Sequence, residues 1–168
     1  MGDQVNGEVK QGLNLGCGMS HKRETGWAWL NVDIRTDVGA DFIYDLGNKW
    51  PHDWNSVFDH VWADNVLEHF DSRGAIHVLN EIGRVLKPGG RATIIVPHAM
   101  SQGAYQDPTH RSFWVPRSAL YWSSKYTPHG GLAVGIDAEL VMLHQPEVYG
   151  DPATEQFIRF EMFKDKTP

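Results

Sequence analysis

Short apolar runs, each closed by Gly, Asp or Pro, recur through the N-terminal part of the chain. They are "LNL" at 13–15, "AWLNVDI" at 28–34, "DFIYDL" at 41–46, "FDHVWA" at 58–63 and "RATIIVP" at 91–97. Each is strand-sized and rich in β-branched or aromatic residues, which predicts a strand. Between the last two the period changes. Ala75, Val78, Leu79, Ile82, Val85 and Leu86 lie three or four apart, the stripe of an amphipathic helix. Asp71 or Ser72 is placed to cap its start, and Pro88-Gly89-Gly90 to stop it. Strand, helix and strand from Phe58 to Pro97 make a βαβ unit, whose right-handed crossover implies a parallel sheet. Farther on, a short helix is expected from Pro116, and "AELVML" at 138–143 and "QFIRFEMF" at 156–163 supply two last strands. Nothing divides the chain, so residues 1–168 are expected to form a single α/β domain.

Composition narrows the class of partner. A chain of 168 residues with 41% hydrophobic content can bury a sizeable core. Its net charge of -6 offers no basic surplus for nucleic acid or an anionic membrane, so neither is expected as a partner. Cys17 is the single cysteine, which excludes an intramolecular disulfide framework and suits a reducing compartment. No apolar run approaches a membrane span, and "MGDQVNGEVKQG" lacks the apolar core of a signal peptide. The expectation is a cytoplasmic protein.

In an open parallel sheet, ligands sit beyond the carboxyl ends of the strands. The residues at those ends are Gly16-Cys17-Gly18, Asp33, Asp45 and Ala63-Asp64-Asn65. Glycines let a ligand approach the backbone, an Asp ending the second strand suits ribose hydroxyls, and Asp45 can accept from an exocyclic amine. A dinucleotide fingerprint would carry a third glycine where His21 stands. The following "MSHKRET" has no helical periodicity, so no helix N-terminus is evident to hold a pyrophosphate. The constellation asks for a nucleoside without phosphates.

Taken in order, "LNLGCG", "WLNVDI", "FIYDLGNKWP", "FDHVWADNVLEHF" and "EIGRVLKPGGRATIIVP" resemble the successive motifs of class I S-adenosylmethionine-dependent methyltransferases, over roughly Gly12 to Pro97. The "VLEH" and "LKPGG" segments are similar to those of the small-molecule, methyltransferase-type-11-like branch. The resemblance implies a Rossmann-like, doubly wound, mostly parallel sheet of about seven strands with the last antiparallel, and S-adenosylmethionine as methyl donor. Carried over by position, it implies a cofactor site of Leu15, Gly16, Cys17 and Gly18, Asp33 and Ile34 at the ribose, Asp45 and Leu46 at the adenine, and Ala63, Asp64 and Asn65 by the methionine. The polar segment after the first strand and the little room after Ile34 depart from the family pattern, and reduced helices are expected at both places. The N-terminal helices that often cover the substrate are also absent, so a homodimer or a partner chain could close an apolar sheet face or open pocket.

The acceptor side is read from the residues alone. His98, Asp107 and His110 fall in "PHAMSQGAYQDPTHRSFWVP", just past the strand ending at Pro97, and are the candidate catalytic groups. A neutral His110 can act as base toward an acceptor O–H or N–H, or Asp107 and His110 can merely pin the loop. Arg111, Trp114 and His69 are candidates for contacting the acceptor. A helix beginning at Asn65 would put Glu68 and His69 on one face, able to orient loops, position an acceptor hydroxyl or hold a divalent metal. The reading adopted has no metal cofactor, with Glu68 and His69 kept as the ligand candidates. Cys17 is read as packing, because nothing basic is assured beside it.

The expected activity is methyl transfer from S-adenosylmethionine to a small-molecule acceptor by direct in-line displacement. Two readings from other classes stand beside it: a non-catalytic S-adenosylmethionine-binding subunit of a hetero-oligomer, and a nicotinamide-dependent oxidoreductase, which the absent third glycine disfavours.

Overall fold

The computed structural model describes residues 8–123, 135, 136 and 138–165. Eight strands form one twisted sheet: β1 (Lys10–Leu15), β2 (Trp27–Asp33), β3 (Phe42–Ile43), β4 (Phe58–Asp64), β5 (Leu86–Pro97), β6 (Leu140–Met142), β7 (Glu147–Gly150) and β8 (Gln156–Lys164). Their order is β3-β2-β1-β4-β5-β8-β6, with β7 paired to the N-terminal half of β8. Strands β1 to β5 are mutually parallel, and β8 runs antiparallel to β5, β6 and β7. This is the doubly wound, mostly parallel sheet expected from the sequence, with one strand more. The addition is β7, a hairpin partner of β8 across the Asp151–Glu155 turn.

The amphipathic stripe folds as α1 (Ser72–Val85), capped by Asp71, whose carboxylate accepts from Gly74 N–H at 2.9 Å. The helix ends earlier than its apolar spacing suggests. Leu86 already belongs to β5, and Pro88-Gly89-Gly90 forms the irregular start of that strand, where pairing with β4 shifts register between Phe58 and His60. Besides α1, the described residues contain one single-turn helix, α2 (Gly103–Gln106), and a 3-10 turn opens at Pro116 as expected. No helix follows β1 or β2.

Alternation along each strand sorts side chains onto two unlike faces. Leu13, Leu15, Val32, Val61, Ala63, Ile94, Val96, Ile158, Phe160 and Met162 point to one face, where α1 packs and the core lies. The other face carries Asn14, Asn31, Trp27, Trp29, His60, Trp62, Thr93, Arg159 and Glu161. The polar segment after β1 lies on it in place of a helix. Asn14 donates to Asn31 Oδ1 and to Ser20 C=O, Lys22 N–H donates to Asn31 Oδ1, and Asn31 donates to Asp41. Asn31 is fully buried by this network. The expectation of an apolar sheet face left bare is therefore not met: the indoles of Trp27 and Trp29 stack at 5.3 Å, and Lys22 Nζ sits 3.5 Å from the Trp62 ring centroid. Gly12 makes room for the Trp29 indole, since a Cβ there would lie 2.4 Å from the ring.

Candidate functional site

A cavity of about 620 Å³ opens at the carboxyl ends of β1 to β4. Strand order reverses between β1 and β4, so this is the crevice in which open α/β sheets bind ligands. Gly16, Asp33, Ile34, Asp45, Leu46 and Asn65 line it, together with Arg35, Tyr44, Val66, His69, Phe70 and Thr109. Six of the eleven expected cofactor residues thus share one wall. The other five do not reach it. Leu15 and Ala63 are buried in the core as the floor beneath, Cys17 and Gly18 belong to the loop after β1, and Asp64 is the last residue of β4, outside the lining.

Backbone conformation shapes the cavity rim. Gly16 has φ +55°, and a Cβ there would lie 2.6 Å from a Val66 methyl, so only glycine lets the chain turn so close to the β4 loop. Asp33 holds this turn: one carboxylate oxygen accepts from Gly18 N–H at 2.7 Å, the other from Arg35 N–H at 2.9 Å. Asp45 Oδ1 accepts from Gly47 N–H at 2.8 Å. Ile34, Leu46, Val66 and Phe70 supply apolar surface between these carboxylates. Burial, with the nearby Asp33 and Asp41 charges, raises the Cys17 thiol above its ordinary value, so it stays protonated. The packing role read for Cys17 agrees with this.

The segment after β4 departs from expectation. Asn65 takes φ +53°, a left-handed conformation that ends the strand and cannot begin a helix. A 3-10 turn, Leu67–His69, follows instead. Glu68 therefore points inward, 1% exposed, while the neighbouring His69 lines the cavity. The loop after β5 docks on this turn: Arg111 and Ser112 N–H both donate to Glu68 C=O, at 2.7 and 3.1 Å, and Ser112 Oγ donates to Leu67 C=O. That docking sets His110 beside Glu68 and His69, with the two imidazole centroids 4.9 Å apart. Burial pushes the Glu68 carboxyl up to about 8, reinforced by the Asp64 and Asp107 charges, whereas burial and the neighbouring His110 lower His69.

The acceptor-side candidates are only partly gathered. His110 Nδ1 meets Ala104 C=O at 2.9 Å, and Nε2 faces Glu68 Oε1 at 4.0 Å. Asp107 does not reach His110's ring directly. Its Oδ1 accepts from Thr109 N–H and Oγ1–H, and Thr109 Oγ1 in turn meets His69 Nδ1 at 3.0 Å. His98 is absorbed locally, its Nδ1 accepting from Met100 N–H at 3.1 Å, and does not line the cavity. Trp114 is a core residue, 8% exposed and packed edge-on against Trp122 at 4.8 Å, not a cavity wall. Arg111 is exposed away from the cavity lining. The sequence reading missed Arg35, Tyr44, Val66, Phe70 and Thr109 as lining residues. Their neighbours in sequence were named, but which side chains turn inward depends on the 3-10 turn and the docked loop.

The sequence matches the methyltransferase domain family over residues 48–94. No curated protein matches it significantly. The fold is shared with a SAM-dependent methyltransferase from Archaeoglobus fulgidus, at 14% identity over 93% of this chain and 86% of that one, TM-score 0.65. It is shared with Burkholderia thailandensis 1,6-didemethyltoxoflavin-N1-methyltransferase, solved with 1,6-didemethyltoxoflavin and S-adenosylhomocysteine, at 16% identity over 95% and 72%, TM-score 0.63. A variant of the 16S rRNA (adenine(1408)-N(1))-methyltransferase from Catenulisporales acidiphilia is similar at 13% identity over 96% and 90%, TM-score 0.63. Similar folds thus serve both small-molecule and RNA acceptors. No helix among the described residues is long and apolar enough to cross a membrane.

Proposed function

We propose that this chain, whose fold is that of the S-adenosylmethionine-dependent methyltransferases and whose segment 48–94 matches their methyltransferase domain, binds S-adenosylmethionine and transfers its methyl group to a small-molecule acceptor by direct in-line displacement. The observation that carries this is the cavity at the ends of β1 to β4, where apolar Ile34, Leu46, Val66 and Phe70 alternate with the carboxylates of Asp33 and Asp45. Apolar walls suit a purine, and the carboxylates suit a ribose diol, an exocyclic amine and a cationic sulfonium. The same carboxylates would repel a pyrophosphate, and no helix follows β1 to offset them. That supports a nucleoside sulfonium over a nicotinamide dinucleotide.

When bound, the donor supplies an electrophilic methyl group. The chain's part is to hold and align: Gly16 admits the ligand close to the backbone, Asp33 accepts from the ribose, Asp45 and Leu46 border the base, and Asn65 stands at the end of β4. Alignment of this kind can lower a barrier by about 7–11 kcal/mol, so a dedicated base is required only for an acceptor that must lose a proton. His69, on the cavity wall, with His110 behind it, is placed on the acceptor side. The net charge of -6 favours a small acceptor over RNA.

Calorimetric titration with S-adenosylmethionine tests the reading. Asp33→Ala should weaken binding roughly 10- to 100-fold, equivalent to about 1–3 kcal/mol, because a buried charge-assisted partner is lost. Asp33→Asn, which keeps acceptor capacity without charge, should fall between. Equal affinity in all three proteins would remove Asp33 from the site. Donor binding with no transfer to any small nucleophile, but with transfer on adding a second protein, would favour a donor-binding subunit.

A further inference from the structure

We propose that Glu68, His69 and His110 form a binding site for one divalent transition-metal ion at the edge of the donor cavity. One ligand atom from each, a carboxylate oxygen and two ring nitrogens, lie within 4.8 Å of one another. The independent observation is Glu68 itself. It is 1% exposed, and neither carboxylate oxygen has a hydrogen-bond partner. A buried, unpartnered carboxylate is costly unless a cation or a well-placed donor compensates it. Its one ion-pairing neighbour among the described residues is His110 Nε2, at 4.0 Å. A proton on Glu68 would remove the charge but leave the buried carboxyl without a hydrogen-bond partner, because 4.0 Å is too long for a hydrogen bond to that nitrogen.

Both imidazoles are oriented as metal ligands. His110 Nδ1 faces Ala104 C=O at 2.9 Å, which can only accept, so the proton sits on Nδ1 and the Nε2 lone pair faces Glu68. Thr109 Oγ1 donates its one hydrogen to Asp107 at 2.7 Å, so it accepts from His69 Nδ1–H at 3.0 Å. His69 Nε2 is then left with a lone pair as well. A ring N–H held by a carbonyl in one ligand, and by a hydroxyl–carboxylate relay in the other, is how proteins fix metal-bound histidines.

Two imidazoles and one carboxylate are a donor set for Zn²⁺ or another first-row ion, not for Mg²⁺ or Ca²⁺, which prefer all-oxygen shells. Tetrahedral Zn²⁺ needs ligand atoms roughly 3.3 Å apart, given bonds of about 2.0–2.1 Å, so the side chains must close inward by about 1.5 Å. Three protein ligands leave a position open. His69 and Thr109 line the donor cavity, so the opening lies on its edge, where a bound acceptor oxygen would be acidified. That catalytic use rests on the donor reading; metal binding does not.

The test uses the whole chain, stripped with a chelator and titrated with Zn²⁺ against a chromophoric competitor. One ion per chain is expected, and Co²⁺ should give the visible absorption of a four- or five-coordinate site. Glu68→Gln and His110→Ala should each weaken Zn²⁺ at least tenfold and abolish the Co²⁺ spectrum. His144→Ala, at an exposed histidine 3.8 Å from Glu161, should change neither. Glu68→Gln keeps the size and shape of the buried side chain without adding a charge and should melt no lower than the metal-free parent, so loss of binding there is not unfolding. Absence of stoichiometric binding, or binding indifferent to both Glu68→Gln and His110→Ala, overturns the proposal. Titration of S-adenosylmethionine in excess chelator reads the donor site separately, so failure of one reading leaves the other standing.

Discussion

The two faces of the sheet solve the same burial problem by different chemistry. On the α1 face, strand positions are aliphatic or aromatic and nearly dry, with Leu13, Val61, Ile94 and Phe160 fully buried. On the opposite face no helix among the described residues packs, and the sheet is closed by a polar segment hydrogen-bonded to Asn14 and Asn31 and by indoles capped with Lys10, Lys22 and Arg159. The first face derives its stability from area removed from water, the second from the hydrogen bonds around Asn14 and Asn31 and from cation–π contacts, with Trp29 Nε1 and Arg159 Nε left unpartnered there. The lesson is local. This sheet is covered after β1 and β2 without helices because its strands carry asparagines that bind the polar segment lying on them.

The largest effect should come from the dry face. Phe160→Ala removes a fully buried ring packed edge-on against Trp122 at 5.0 Å, and should cost about 3–5 kcal/mol in urea unfolding. A loss below about 1 kcal/mol would mean that this face is not the core.

Next comes the polar face. Asn31→Ala strands one Asn14 amide N–H and the Lys22 N–H and removes one of three donors to Asp41 Oδ2, and should cost about 2–3 kcal/mol. Asn31→Leu separates the two strategies. If the face accepted aliphatic packing as the other does, leucine would rescue much of the loss; the network predicts that it will not. Rescue by leucine would break the contrast between the faces.

How far these faces were legible in the sequence differs for the same reason. The α1 face could be read because aliphatic spacing reports burial directly, from Leu13 and Leu15 through the 3.6-residue stripe of Ala75, Val78, Leu79 and Ile82. The ends of β1 to β4 were legible too, since Gly16, Asp33, Asp45 and Asn65 sit where strand chemistry places a ligand. Asn14 and Asn31 read simply as the polar half of an alternation, and nothing local says that each is buried by the other. Strand β7 was missed, although Val148 and Tyr149 before the Gly150-Asp151-Pro152 turn carry a hairpin signal. Trp114 was misplaced because an aromatic in a loop can turn to core or cavity equally well. The meeting of Glu68 with His110 depends on a loop docking through backbone N–H groups, which no side-chain pattern records.

The smallest effect concerns His60, and it reads the polar face through pH. Its ring stands among Trp27, Trp29 and Trp62, with Nε2 2.9 Å from Thr93 Oγ1. Burial, and then the Lys22 charge, lower its pKa from 6.5 to about 4. A histidine depressed in the folded state favours folding while both states are neutral, and that contribution is lost as pH falls below the unfolded value. Stability should therefore be level above about pH 7 and decline from about 6.5 toward 4, with roughly 1 kcal/mol gone by pH 5.5. Asp41, held at about 2 because hydrogen bonds from Asn31 and Arg23 outweigh its burial, adds a further loss only below about pH 4, so the two windows separate. His60→Gln keeps a polar group opposite Thr93 but cannot titrate, and should flatten the decline between pH 6.5 and 4.5 while leaving the acid limb below it. An unchanged slope in that variant would mean that His60 takes up its proton at the same pH folded and unfolded, and that the indoles around it, together with Lys22, do not exclude water as their packing implies.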